Sequence, residues 1–236
     1  MNQASVETLD HAFTALAAYR PGSGRAALLP IDQAVAAASP ANLEIRLLAV
    51  LDRSPSDSAR DYIFSKLVLI GTLKSLPTLA KAAASESPSA TAARTALEVF
   101  PTPEATRAIL LVLPTSSPAA KAALLNTLGV RRDPAAASSI AKLLTSAETE
   151  PAVLEAALSA LGRIASPKAA RALRQFHSHA PQQFSATLAD SILTCADGLL
   201  GQGDRKQARD LYALLGASPL PLHVRKAALS GLKACS

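Results

Sequence analysis

The stretch PAVLEAALSALGRIASPKAARALRQF, Pro151–Phe176, reads as two short helices folded back on each other through a six-residue turn. Pro151 suits a first helical turn, where its missing N–H breaks no intrahelical bond. At 100° per residue, Val153, Leu154, Ala157, Leu158 and Leu161 share one face, while Glu155 and Ser159 lie opposite. Ala156 and Ala160 flank that stripe as a ridge of small side chains that lets a neighbouring helix come close. Gly162 is expected to end the first helix, because glycine enters the left-handed region without a Cβ penalty. Ser166 and Pro167 then start the second helix as N-cap and first-turn proline. Its apolar face is Ala169, Ala172, Leu173 and Phe176, and its opposite face carries Lys168, Arg171 and Arg174.

A hairpin this short cannot bury its apolar face alone, so it needs neighbours of the same kind. The position of Gly162 recurs at Gly71, Phe100, Gly129, Gly201 and Lys233, each preceded by a large apolar residue. Helix starts are marked by Ser87-Pro88, Thr102-Pro103, Ser117-Pro118, Asp133-Pro134 and Ser166-Pro167. Phe100 is irregular, and there Pro101 and Pro103 enforce the turn. The pattern predicts an all-α fold: an α-solenoid of stacked antiparallel hairpins forming one domain over 1–236, regular from 59 to 236 and less regular from 1 to 58. In that first part, helices are expected over Ser5–Tyr19, Arg25–Ala38 and from a Ser39-Pro40 cap to Leu51. The segment Ser54–Ser58 is a polar break, and a fourth helix ends at Gly71. Pro30 either opens the second helix or kinks it.

Composition supports this fold. Ala (51) and Leu (37) supply 88 of 236 residues, which favours helix. Trp is absent and aromatics are 3%, too few to anchor a large globular core but enough for thin, alanine-rich layers. No apolar run reaches membrane-spanning length. The opening MNQASVETLD lacks the basic and apolar regions of a signal peptide, and the final helix from Pro221 has no partner hairpin after it, as in a segment of a longer chain.

LGRIASPKAARAL and LGVRRDPAAASSIAKLL resemble HEAT repeats of the short bacterial, PBS-lyase-like type, with an apolar helix ending Leu-Gly, a turn with Asp or Ser before Pro, and a second Ala/Leu helix. The resemblance extends over Ala59–Ser236. Within it, Ala196–Leu215 is similar to a tetratricopeptide hairpin. It implies an armadillo-like superhelix and a protein-binding scaffold. It also implies an extracytoplasmic setting where such repeats accompany cytochrome or carbohydrate-active modules. Bilin-lyase activity is a third implication, from the family name alone.

Signals for chemistry are sparse. His177 and His179 are two apart and cannot share a helical face as metal ligands do, so no metal or cofactor is expected. The glycine clusters Pro21–Gly24 and Gly201–Gly203 follow no strand and read as turns. Cys195 sits in an apolar pattern as a small core residue. No nucleophile motif occurs, and the chain is not expected to be an enzyme.

Charge is the remaining clue. Residues 1–118 carry ten Lys/Arg and ten Asp/Glu, whereas residues 119–236 carry fourteen and eight, so the whole excess of +6 lies in the second half. The candidate binding set is Arg131, Arg132, Arg163, Lys168, Arg171, Arg174, Arg205, Lys206 and Arg209. Arg131, Arg132, Arg163 and Arg205 fall at equivalent turns, and stacking would align them along one edge. Lys168, Arg171 and Arg174 are expected on the inner, concave side. The leading expectation is a scaffold whose concave face binds another protein or another module of its parent chain. The alternative is a nucleic-acid-binding protein that uses the basic second half on phosphates, similar to HEAT-like DNA glycosylases but without their aromatic residues, so without base stacking.

Overall fold

The structure is a computed structural model and describes residues 3–37, 42–53, 55–217 and 220–235. Every regular element among them is helical. The chain resolves into two compact units, Met1–Ala108 and Ile109–Ser236.

Unit 1 contains α1 (Gln3–Ala17), α2 (Leu29–Ala36), α3 (Leu43–Leu51), α4 (Asp57–Ile70), α5 (Leu76–Ala83) and α6 (Ala90–Val99). It also holds the first part of α7 (Pro103–Val112). Pro30 occupies the first turn of α2, after a 3-10 turn over Arg25–Leu28, so it opens a helix rather than kinking one. The expected Ser39-Pro40 cap lies outside the described residues. The polar break is shorter than expected: Ser56 accepts a hydrogen bond from the Ala59 amide at 3.2 Å and α4 begins at Asp57. Gly71 closes α4 as expected. Leu16, Leu28, Ile31, Leu47, Ile63, Leu67, Leu79 and Leu97 are fully buried.

Polar ties join these helices. Asp32 of α2 accepts from the Tyr62 hydroxyl at 2.9 Å and pairs with Lys66 at 2.6 Å. Glu44 of α3 is buried and accepts from the Thr72 amide at 2.8 Å and the Ser75 hydroxyl at 2.6 Å. One carboxylate thereby holds the first turn leading into α5. Burial pushes the Glu44 carboxyl up, but the bonds from Ser75 and Thr72, with Lys74 nearby, prevail and hold it below its ordinary range.

Unit 2 contains the rest of α7, then α8 (Pro118–Arg131), α9 (Ala137–Leu143), α10 (Pro151–Ile164), α11 (Pro167–His177), α12 (Ser185–Gly201), α13 (Arg205–Gly216) and α14 (Leu222–Ala234). The stripe expected on α10 is its core: Val153, Leu154, Ala157, Leu158 and Leu161 are all buried. On α11, Ala169, Ala172, Leu173 and Phe176 are buried while Lys168, Arg171 and Arg174 are exposed.

The punctuation of the repeat differs from its sequence reading. Gly129 and Gly162 do not end their helices; α8 runs on to Arg131 and α10 to Ile164, and only Ala165 and Ser166 separate α10 from α11. The left-handed closing residues are Arg132, with φ 52°, and Ala165, with φ 46°. Lys233 also lies inside its helix, and the left-handed position after α12 is Gly203 rather than Gly201. The proline signals fare better. Ser117 and Ser166 cap α8 and α11, while Asp133 caps the 3-10 turn leading into α9. Pro103 opens α7, whereas Ser87-Pro88 sits in the turn before α6, which starts at Ala90.

The glycines instead admit neighbouring helices. A Cβ on Gly129 would stand 3.1 Å from the Ala160 Cα, and one on Gly162 would stand 2.8 Å from the Ser191 carbonyl oxygen. Main chains of α8, α10 and α12 therefore meet nearly directly, with Ala160 of the small ridge at the first crossing. The alternate row, α9, α11 and α13, packs more loosely side to side.

Candidate basic interface

The nine basic residues fall into two groups. Arg131 and Arg163 lie in the last turns of α8 and α10, and Arg132 closes α8. The Arg163 stem crosses α8: its Cδ is 3.3 Å from the place a Cβ on Gly129 would occupy. The Gln202 side-chain amide donates to the Ala165 carbonyl at 3.1 Å, and Gly198 lies against the Ala165 methyl. These contacts bring the C-terminal ends of α8, α10 and α12 side by side. Arg131, Arg132 and Arg163 therefore lie at adjacent helix ends, and Arg205 opens α13. Arg131 is half-buried, and that burial lowers its guanidinium pKa despite Asp133 beside it.

The second group lies on α11 and α13. Lys168 and Arg171 are exposed and form no ion pair among the described residues. Arg174 pairs with Asp210 of α13 at 3.7 Å, an exposed contact that contributes little energy but ties two helices of the row. Arg209 donates to the Cys235 carbonyl at 3.0 Å, linking α13 to the end of α14. Lys206 is exposed. So Arg174 and Arg209 have partners within unit 2, whereas Lys168, Arg171 and Lys206 project into solvent.

The sequence reading missed Lys142, which extends the same row on α9 and is exposed. Alignment of α9 with α11 as successive members of one row was the signal for it. It also missed an apolar edge in unit 1, where Leu69 (66% exposed) and Val99 (58%) end the adjacent helices α4 and α6, and Leu73 (54%) follows α4.

Clefts open on unit 1. One of about 530 Å³ between α4 and α6 is lined by Asp61, Ser65, Val68, Thr91 and Thr95, with no histidine, cysteine or lysine on its walls. Burial and the neighbouring Asp57 raise the Asp61 carboxyl. His177 closes α11 and its imidazole pKa is lowered by burial, while the His179 ring packs edge-on to Phe176 at 5.6 Å. Among the described residues no cluster of three or more His, Cys, Asp or Glu is placed to hold a metal ion, and no helix is long and apolar enough to cross a membrane.

Residues 106–192 match the family model described as HEAT repeats. The match covers part of the Ala59–Ser236 span over which the resemblance was read, and it includes α8–α11. No curated protein matches the chain.

Proposed function

We propose that this chain, a HEAT-repeat protein with its repeats over residues 106–192, is a non-catalytic scaffold that binds a second protein or a neighbouring module of its own parent chain. The observation that carries this reading is the apolar edge of unit 1. Leu69, Leu73 and Val99 are each more than half exposed at one end of two packed helices. Clustered exposed apolar side chains of this kind mark protein contact sites. An edge made by successive repeats also suits the extended surfaces by which repeat proteins bind.

Site-specific photo-crosslinking tests the reading. A crosslinker placed at Leu73 in cells that express the gene should capture a defined protein. The Leu69→Lys, Val99→Lys double variant should lose that adduct while keeping its helical circular dichroism. Equal capture by parent and variant, or no adduct from Leu73, would count against a scaffold that uses this edge.

A further inference from the structure

The row α9, α11 and α13 of unit 2 presents a face rich in hydrogen-bond donors. Its exposed side chains are Ser138, Ser139 and Lys142 on α9, and Pro167, Lys168, Arg171, Arg174 and Gln175 on α11. On α13 they are Arg205, Lys206, Arg209, Asp210 and Ala213. Asp210 is the one acid on the three helices, and Arg174 engages it. Lys142, Lys168, Arg171 and Lys206 have neither ion pair nor side-chain hydrogen bond among the described residues. Five of the eight acids of residues 119–236 lie off this row: Glu148 and Glu150 precede α10, Glu155 is on it, and Asp190 and Asp197 are on α12, while Asp133 and Asp204 cap the turns that open α9 and α13.

From this segregation we infer that the α9–α11–α13 face docks the phosphate backbone of duplex nucleic acid. Two features separate that partner from an acidic protein. A protein interface has an apolar centre ringed by polar groups. None of the exposed large apolar side chains of this molecule lies on α9, α11 or α13. Ser, Gln, Lys and Arg are, however, the side chains that contact phosphate oxygens. The dimensions also agree. Three adjacent helices span about 16–20 Å across the row, and a duplex carries one phosphate per about 1.7 Å of axis, which leaves ample choice for four cations. All seven Phe and Tyr side chains other than Tyr19 are buried, so bases have no aromatic platform. The contact is with the backbone and is independent of sequence.

The proposal goes beyond the scaffold reading and uses a different unit, so either can fail alone. The test is fluorescence anisotropy of the full chain with a labelled duplex of about 20 base pairs, longer than the patch. With four phosphate contacts, affinity should fall about a hundredfold between 50 and 200 mM salt. The Lys168→Gln, Arg171→Gln variant should bind at least tenfold more weakly and reduce the logarithmic salt slope by about two. A control variant, Arg53→Gln with Lys81→Gln, removes two exposed cations of unit 1 and should leave binding nearly unchanged. Three results would overturn the assignment: no binding at low salt, equal loss in the control variant, or equal affinity for polyglutamate of matched charge. The last would transfer the face to an acidic protein.

Discussion

Gly162 of α10 lies against the main chain of Ser191 in α12: a Cβ at Gly162 would stand 2.8 Å from the Ser191 carbonyl oxygen and 3.0 Å from its Cα. Neither atom is the end of a flexible side chain, so the helices must separate to admit one. Gly162→Ala is therefore expected to lower stability by about 1–3 kcal/mol, despite alanine's better helix propensity. Gly201→Ala, with nothing within 4 Å of the added methyl, is expected to raise it by about 0.5–1 kcal/mol. Thermal denaturation of both variants should show opposite shifts. A stabilised Gly162→Ala would refute the close-approach account.

Arg132 closes α8 with φ 52°, a conformation that a side chain makes unfavourable. Its exposed side chain is not part of the core. Arg132→Gly should gain about 1 kcal/mol by relieving the left-handed strain. The equivalent Ala165→Gly should gain less, because Ala165 is buried against Gly198. Chemical denaturation of the two variants ranks them.

The Glu44 carboxyl is lowered below its ordinary value of 4.5 because the bonds from Ser75 and Thr72 outweigh the burial that opposes them. A depressed folded pKa makes its contribution complete above the unfolded value and lost as the pH falls through the folded one. Unit 1 should thus weaken below about pH 4.5. Glu44→Gln should cost about 1–3 kcal/mol at neutral pH, since the amide cannot accept as the carboxylate does, and should flatten this acid dependence. Denaturation midpoints between pH 3 and 7 test both statements; an unchanged pH profile in Glu44→Gln would contradict them.

Cys195 is fully buried in α12, and burial pushes its thiol up to about 12. The thiolate is the reactive form. In native protein at pH 8 this cysteine should resist alkylation on the hour timescale, and it should react promptly in denaturant. Peptide mass mapping after iodoacetamide treatment distinguishes the two, and ready native labelling at Cys195 would contradict its place in the core.

Local chemistry was legible in the chain itself. Ser117, Asp133 and Ser166 cap their helical turns, and each bonds an amide only two or three residues ahead, so no tertiary information is needed. The apolar stripe of α10 follows from helical period in the same way. The Leu-Gly pairs at 128–129 and 161–162 were visible but were read as helix ends. Their actual role depends on Ala160 and Ser191, residues about 30 positions away along the chain that only packing brings near. The basic residues behave alike. Their count and their bias to the second half are written in the sequence. It took the fold to bind Arg174 to Asp210 and Arg209 to the Cys235 carbonyl, and to leave Lys168 and Arg171 in solvent. Caps and periodicity are interactions within one helical turn, which sequence alone determines. Close approach and charge pairing are interactions between turns far apart in the chain, and those only the tertiary structure decides.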